Sequence, residues 1–242
     1  MKKILFISGG SRGIGAATAR ACASAFEHIV FTYRQQHDAA LSLAAELKQH
    51  CEITCLQLDV CEEAAVVDAF AEIDSLDGQL TGLVNSAGIV APASNLIGID
   101  QHRLHKLFAT NVFGTFYCCR EAIKRMTAGG SIVNIGSAAS KHGSAGEYID
   151  YAATKGAIDV FTLGLAKEVA AQNIRVNCVR PGVIDTDIHA DSGDRDRPFK
   201  IASQVPLLRP GTAAEVAEAV RWLLSDAASY TTGSMLDVSG GR

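Results

Sequence analysis

Apolar residues along the chain alternate between two textures. Short, almost continuously apolar or β-branched runs occur at Lys3–Ser8, Ile29–Tyr33, Ile53–Gln57, Gly82–Asn85, Ile132–Ile135, Ile174–Val179 and Met235–Val238. Runs of this kind predict strands covered on both faces. Between them the spacing turns helical, as at Ile14, Ala17, Thr18, Ala21, Cys22 and Ala25. It does so again at Val216, Ala219, Val220, Leu223 and Leu224. Strand–helix alternation requires crossover connections and therefore a mostly parallel sheet. There is no internal repeat, low-complexity tract or Pro/Ser linker, so a single α/β domain spanning 1–242 is expected. One charged, loop-like stretch, Asp185–Pro198, interrupts the pattern.

Composition narrows the classes. Of 242 residues, 48% are hydrophobic and 20% charged, which excludes a disordered chain. The net charge of −4 leaves no basic footprint for nucleic acid. No apolar run is long enough to span a bilayer. The N-terminal run Ile4–Ile7 stops at a glycine turn, so it reads as a first strand and not as a secretory core. Seven cysteines without a CxxC pair suit free thiols in a reducing, cytoplasmic setting.

Strand one runs into Ser8-Gly9-Gly10-Ser11-Arg12-Gly13-Ile14-Gly15 and directly into a helix pattern. Backbone N–H groups and the helix dipole at such a junction favour a pyrophosphate. Glycines permit the tight turn and the close approach of the phosphates. The end of strand two distinguishes the nucleotides. An acid there would bind the ribose 2′-OH of NAD, and an arginine the 2′-phosphate of NADP. Here Tyr33 stands at the acidic position and Arg34 follows, with Arg12 able to approach the same phosphate. NADP(H) is favoured, and NAD(H) stays open.

Tyr151 and Lys155 open a long helix pattern carrying Ile158, Phe161, Thr162, Leu165 and Val169. At i and i+4 they share a face and can point into one cleft. An ammonium beside a phenol favours the phenolate, so the pair is expected to bring the tyrosine pKa closer to neutrality for acid–base work. Asn85-Ser86-Ala87-Gly88, Ser137 and Pro181-Gly182 each follow a predicted strand. Ligands of open α/β sheets bind beyond those strand ends.

With these elements in this order, the chain resembles the short-chain dehydrogenase/reductase family along essentially its whole length, to the closing Val238-Ser239-Gly240-Gly241. Within it, the nearest likeness is to sugar dehydrogenase-like and 3-oxoacyl-ACP-reductase-like members. The resemblance implies a doubly wound Rossmann domain with strand order 3-2-1-4-5-6-7. It implies a catalytic set of Asn111, Ser137, Tyr151 and Lys155, with Tyr151 exchanging a proton with a carbonyl or hydroxyl oxygen. Ser137 would fix that oxygen. Lys155 would hold the nicotinamide ribose and lower the tyrosine pKa, and Asn111 would anchor a water beside Lys155. The implied cofactor residues are Gly9, Ser11, Arg12, Gly13, Ile14 and Gly15 in the loop, Tyr33 and Arg34, then Asp59 and Val60 at the adenine. Asn85, Ala87 and Gly88 follow, then Tyr151 and Lys155 themselves, and Pro181, Gly182, Ile184 and Thr186 serve the nicotinamide. Ser86 occupies the family's second Asn position, and the step from Ser137 to Tyr151 is one residue longer than usual.

The substrate pocket is expected from Ala91–Leu96, Ala138–Tyr148 and a mobile lid at about 185–205. The lid carries Asp187, His189, Asp191, Asp194, Arg195, Asp196 and Arg197, which points to a small polar carbonyl or alcohol. His142, Ser144 and Tyr148 are candidate contacts to a polyol. A 3-oxoacyl-[acyl-carrier-protein] reductase is the alternative. Ala128 and Gln172 stand where that branch carries arginines, although Lys124 and Arg125 lie close by. A nucleotide-binding sensor without turnover is the competing class. His102 and His105 show no third metal ligand, so no metal is expected. The resemblance further implies a homotetramer; the apolar face of Leu104, Leu107, Phe108 and Val112 fits that and equally fits helix-on-sheet packing within one subunit.

Overall fold

A computed structural model describes residues 2–242; Met1, the first residue of the expected domain, lies outside the described residues. Seven strands form one parallel sheet. They are β1 (Lys3–Ser8), β2 (His28–Tyr33), β3 (Glu52–Gln57), β4 (Gln79–Asn85), β5 (Gly130–Ile135), β6 (Ile174–Pro181) and β7 (Met235–Val238). Their order is β3-β2-β1-β4-β5-β6-β7, the order the family resemblance implies. The apolar runs located every strand of this sheet, where the ends the pattern leaves out are mostly polar or glycine residues such as Gln79 and Glu52, but not the two-residue strands Ile184–Asp185 and Gly211–Thr212, which pair in a second small sheet.

The pleat explains the two cores. Leu5 and Ile7 point to one face with Ile29, Phe31 and Val179. There they meet α1 (Gly13–Cys22), α2 (His37–Leu47) and α7 (Ala213–Leu224) through Ala19, Leu43, Leu47, Val216, Val220 and Leu223. Ile4 and Phe6 point to the other face with Val30, Leu83, Ile132 and Val176. This face is covered by α3 (Glu63–Asp74), α5 (Gly114–Ile123) and α6 (Ile149–Val169), through Val66, Phe70, Cys119, Leu165 and Val169. Phe6 and Phe70 lie with ring centroids 4.4 Å apart across that interface.

Helix α4 (Gln101–Phe108) continues into α5 through a π-helical turn, Ala109–Phe113. Such turns widen a helix locally and are frequent at functional sites; this one carries Asn111. Leu107 and Val112 are buried inside the subunit, so half of the apolar face foreseen for assembly is spent on internal packing. An exposed apolar surface also joins α5 to α6. Phe116 stacks on Phe161 at 3.8 Å, flanked by exposed Phe113, Val160 and Leu163.

Strands β1 and β4 are neighbours, and the crossovers reverse direction between them. That places a crevice at their carboxyl ends. Among the described residues, no helix is long and apolar enough to cross a membrane.

Candidate active site

The carboxyl ends of β1, β2, β4, β5 and β6 open onto a cavity of about 540 Å³. Its floor is the glycine turn. Gly9 has φ +66° and sits so close to the β4 loop that a Cβ would lie 2.7 Å from the Ala87 Cα. Glycine is therefore required there on two counts, the left-handed backbone and the contact. Gly15 does not reach the cavity; a Cβ there would lie 2.2 Å from the Gly9 carbonyl oxygen, so its role is to let α1 pack under the turn. Gly9 N–H donates to Thr32 Oγ1 at 3.2 Å and Gly10 N–H to the Thr32 carbonyl at 2.7 Å, tying the turn to β2.

Helix α1 begins here with no side-chain cap and no acid in its first turn. Its orphan N–H groups and positive dipole end face the cavity beside Ser11, Arg12, Gly13 and Ile14. A pyrophosphate fits that donor set, and a carboxylate cap would have spoiled it.

Beyond the turn, Tyr33, Arg34, Asp59 and Val60 line the wall together with Gln35, Gln36 and Leu58. Both arginines foreseen for a 2′-phosphate are present at this end. Arg34 Nη1 lies 3.8 Å from Asp59 Oδ2. Arg12 bonds Asp191, which ties the glycine turn to the segment expected as a lid. Tyr33 Oη and His37 Nδ1 are 2.6 Å apart, fixing the phenol at the edge of α2.

Ser137, Tyr151 and Lys155 line the same cavity, on the side next to Gly88 and Ile135. Lys155 Nζ donates to the Ile135 carbonyl at 2.7 Å and stands 5.7 Å from the Tyr151 ring centroid. Both groups thus lie on one face of α6, as i,i+4 spacing requires. The electrostatics differ from the sequence expectation. Desolvation raises the Tyr151 pKa above that of a free phenol, with only the Ser137 hydroxyl pulling it down. Desolvation also lowers Lys155, to about 8, against the opposing pull of Cys178 and Asp159. Each group pays for leaving water, and no stabilisation of the phenolate by the ammonium offsets this. At neutral pH, Tyr151 carries its proton.

Asn111 is fully inside the protein. Its Oδ1 accepts Ile89 N–H at 2.8 Å, and its Nδ2 donates to the Ile89 carbonyl at 3.0 Å and to Thr154 Oγ1 at 3.1 Å. It does not line the cavity but fixes the loop after β4. Gly88 leaves the gap between Asn111 and Lys155, since a Cβ there would lie 3.5 Å from Asn111 Oδ1 and 3.6 Å from Lys155 Nζ. Asn85 is also off the wall, buried and donating to Asn134 Oδ1 at 2.8 Å. Ser86, Ala87 and Gly88 line the cavity in its place.

Pro181, Gly182, Ile184 and Thr186 close the far wall. The end expected to take the substrate is lined by Ala138, His142, Ser144, Tyr148, His189, Ser192, Arg197 and Ile201. Ala91–Leu96, expected there, is not on the wall; Ile89 and Val90 are, because the Asn111 clamp turns the loop inward at Ile89. The lid segment folds into short helices at Ile188–Asp191 and Arg197–Lys200. Several of its charges are paired within the chain, Arg197 with Glu147 at 2.6 Å and Lys200 with Asp194 at 2.6 Å. His102 and His105 are exposed on α4. Cys22, Cys118, Cys119 and Cys178 are buried, and all seven cysteines are free thiols.

Sequence reading missed Thr32, whose hydroxyl holds the turn, and Arg242, which lines the substrate end. It also missed Arg103, whose partner Asp150 is 47 residues away in sequence. Asp150, placed directly before Tyr151, was the one local signal of that contact.

Comparison with known proteins agrees with this geometry. A family model described as enoyl-(acyl carrier protein) reductase matches residues 9–242. The uncharacterized oxidoreductase YgfF of Escherichia coli is 47% identical, covering 99% of each chain. Carbonyl reductase family member 4 of Danio rerio is 39% identical over 100% of this chain and 98% of its own. Among solved structures, a short-chain dehydrogenase/reductase mutant from Serratia marcescens superposes with a TM-score of 0.92 at 32% identity, covering 99% of this chain and 97% of that one. A blue fluorescent protein from a metagenomic library, solved with NADPH, gives a TM-score of 0.92 at 33% identity with the same coverage.

Proposed function

The chain belongs to the short-chain dehydrogenase/reductase family, and from that premise we propose that it is an NADP(H)-dependent reductase of small, polar carbonyl compounds. The observation that carries this reading is the cavity itself. A protonated phenol, a serine hydroxyl and a buried ammonium meet there on the same wall as an uncapped helix N-terminus and a glycine turn.

The residues fit a dinucleotide. Gly9, Ser11, Gly13 and Ile14 would hold the pyrophosphate, with Arg12, Tyr33 and Arg34 around the 2′-phosphate and Asp59 and Val60 at the adenine. Ala87, Gly88, Pro181, Gly182, Ile184 and Thr186 would flank the nicotinamide half. Two arginines at the adenosine end favour the phosphorylated nucleotide, and the solved relative with NADPH supports the same choice. Bound there, the cofactor supplies hydride chemistry that side chains lack.

What the chain supplies is position and a proton. Ser137 Oγ holds the carbonyl oxygen, and Tyr151 Oη donates to it as negative charge develops. Lys155, charged below about pH 8 and donating to the Ile135 carbonyl, would hold the nicotinamide ribose, and the phenolate left behind regains its proton from solvent. The Asn111 clamp keeps the β4 loop from collapsing onto Lys155. His142, Ser144, Tyr148 and Arg197 give the substrate end a polar lining, with residues 185–205 as its lid.

A carrier-protein substrate would need free basic residues near the mouth. Arg125 is committed to Asp74 at 2.7 Å and to Glu121 at 3.1 Å, and Lys124 to Glu121 at 2.8 Å. Neither residue lines the cavity, whereas Lys106 and Arg242 do, so the acyl-carrier alternative is decided by the substrate panel. The test is NADPH consumption against diacetyl, simple ketones, quinones, sugar lactones and an acetoacetyl thioester. Turnover concentrated on the small polar carbonyls is expected. NADPH binding with no turnover on any compound would replace the enzyme with a sensor.

The exposed Phe113, Phe116, Val160 and Leu163 face suits a second copy of the chain, and a homotetramer is the assembly proposed. Light scattering should give four times the chain mass. A monomer that persists at micromolar concentration would reject it.

A further inference from the structure

The polar groups that the mechanism leaves unused include one nearly dry ion pair next to Tyr151. Arg103, on α4, reaches Asp150, the second residue of α6. Nε donates to Oδ2 at 2.6 Å and Nη2 to Oδ1 at 3.1 Å. The Asp150 side chain is 1% exposed and that of Arg103 15%. Such a pair gives little net stability, because desolvation offsets most of the attraction; its geometry is what is gained.

That geometry bears on Tyr151. The residue preceding α6, Tyr148, offers no side-chain cap. Asp150 Oδ1 accepts the Tyr151 backbone N–H at 2.9 Å, so the carboxylate that Arg103 fixes also secures the turn carrying the phenol. A negative charge in the first turn further suits the helix dipole. The third guanidinium nitrogen donates to the Pro92 carbonyl in the loop after β4. Two residues on, Ser94 N–H donates to the Glu147 carbonyl at 2.8 Å. Arg103 itself is steadied by Asp100, which accepts its N–H at 2.8 Å at the start of α4. One guanidinium therefore joins α4, the loop behind the cavity wall and the first turn of the catalytic helix.

We propose that Arg103 and Asp150 form a positioning pair that sets the placement of Tyr151 Oη relative to the substrate carbonyl, without touching substrate or cofactor. The proposal rests on the reading of Tyr151 as the proton donor. A positioning loss lowers turnover with little change in nucleotide binding, because most of the groups that would hold the nucleotide lie in the glycine turn and in the loops after β2, β4 and β6, away from α6.

The experiment compares wild type, Arg103→Met, Arg103→Lys and Asp150→Asn. It measures kcat and KM on the best carbonyl of the panel, the NADPH dissociation constant by fluorescence, and thermal unfolding. Arg103→Met is expected to lower kcat about tenfold, a misplacement effect, with NADPH affinity within about twofold. Arg103→Lys, which keeps the charge and one bond, should recover part of the loss. Asp150→Asn keeps an acceptor for the Tyr151 N–H and should fall between wild type and Arg103→Met. Wild-type kcat in Arg103→Met, or no recovery with lysine, overturns the proposal. So does a loss that only follows weakened NADPH binding. If Arg103→Met does not fold, the lysine and asparagine variants decide: lowered kcat at unchanged NADPH affinity supports it, and unchanged kcat overturns it. Tyr151→Phe, measured in parallel, separates the two readings. Full activity there removes the proton donor itself, whereas a large loss there with none in Arg103→Met removes only the positioning pair.

Discussion

Tyr151→Phe should lower carbonyl turnover by about 10²–10⁴-fold, the usual contribution of a placed general acid, and leave NADPH affinity within about twofold. The substitution removes one oxygen and keeps the ring. The ring borders Lys155 and the cavity wall, so packing is preserved. What disappears is the only phenol proton held against Ser137. Because desolvation raises the Tyr151 pKa, that proton is present throughout the neutral range, and the loss should be as large at pH 6 as at pH 7. Stability should not fall. The hydroxyl borders the cavity, and Ser137 Oγ keeps the bond it accepts from the Ala139 N–H at 3.1 Å. Steady-state kinetics, nucleotide titration and a thermal melt check the three parts. Near wild-type turnover would remove Tyr151 from the chemistry.

How much of this could be read from the sequence depended on the range of the interaction. Strands β1 to β7 were legible because continuous apolar runs leave a buried parallel strand few alternatives. Tyr151 and Lys155 were legible because helical spacing alone puts them on one face. The glycine turn was legible by its place between strand and helix, although only the coordinates separate Gly9, which touches the β4 loop, from Gly15, which serves packing. The electrostatic expectation for Tyr151 went the other way. Spacing gives proximity but not desolvation, and here desolvation outweighs any help from Lys155. Contacts between distant segments had no local mark. Arg103 with Asp150, Arg12 with Asp191, and Asn111 with Ile89 each join elements the chain brings together late. The last of these is why Ala91–Leu96 stands behind the wall. For Leu107 and Val112 the sequence left assembly and internal packing equally open, since periodicity finds an apolar stripe but not what it packs against, and the structure shows internal packing.

Arg34→Asp should weaken NADPH binding by about 10²-fold and shift the preference toward NADH. A charge-assisted contact is worth about 1.5–3 kcal/mol, and about 1.4 kcal/mol is tenfold, so loss of the guanidinium alone accounts for about one to two decades. The new carboxylate adds repulsion toward a 2′-phosphate and supplies an acceptor for a 2′-OH. Arg34 is well placed for this exchange. Its side chain is 39% exposed at the mouth of the cavity, and its Asp59 partner at 3.8 Å is too distant for a strong bond. A bound phosphate would therefore not have to break a tight pair. Arg12 differs in that its Nη2 is bonded to Asp191 on the lid segment, which leaves its other nitrogens to meet a phosphate. The fold should tolerate the change, since solvent reaches the position and the Arg34 carbonyl keeps its bond from Gln57 Nε2 at 3.0 Å. Asp59 then faces a second carboxylate, and salt should relieve part of the NADPH penalty by screening. Dissociation constants for both nucleotides at two salt concentrations measure the effect. A ratio equal to that of the wild type would assign the 2′-phosphate to Arg12 alone, and Arg12→Ala would then carry the whole discrimination.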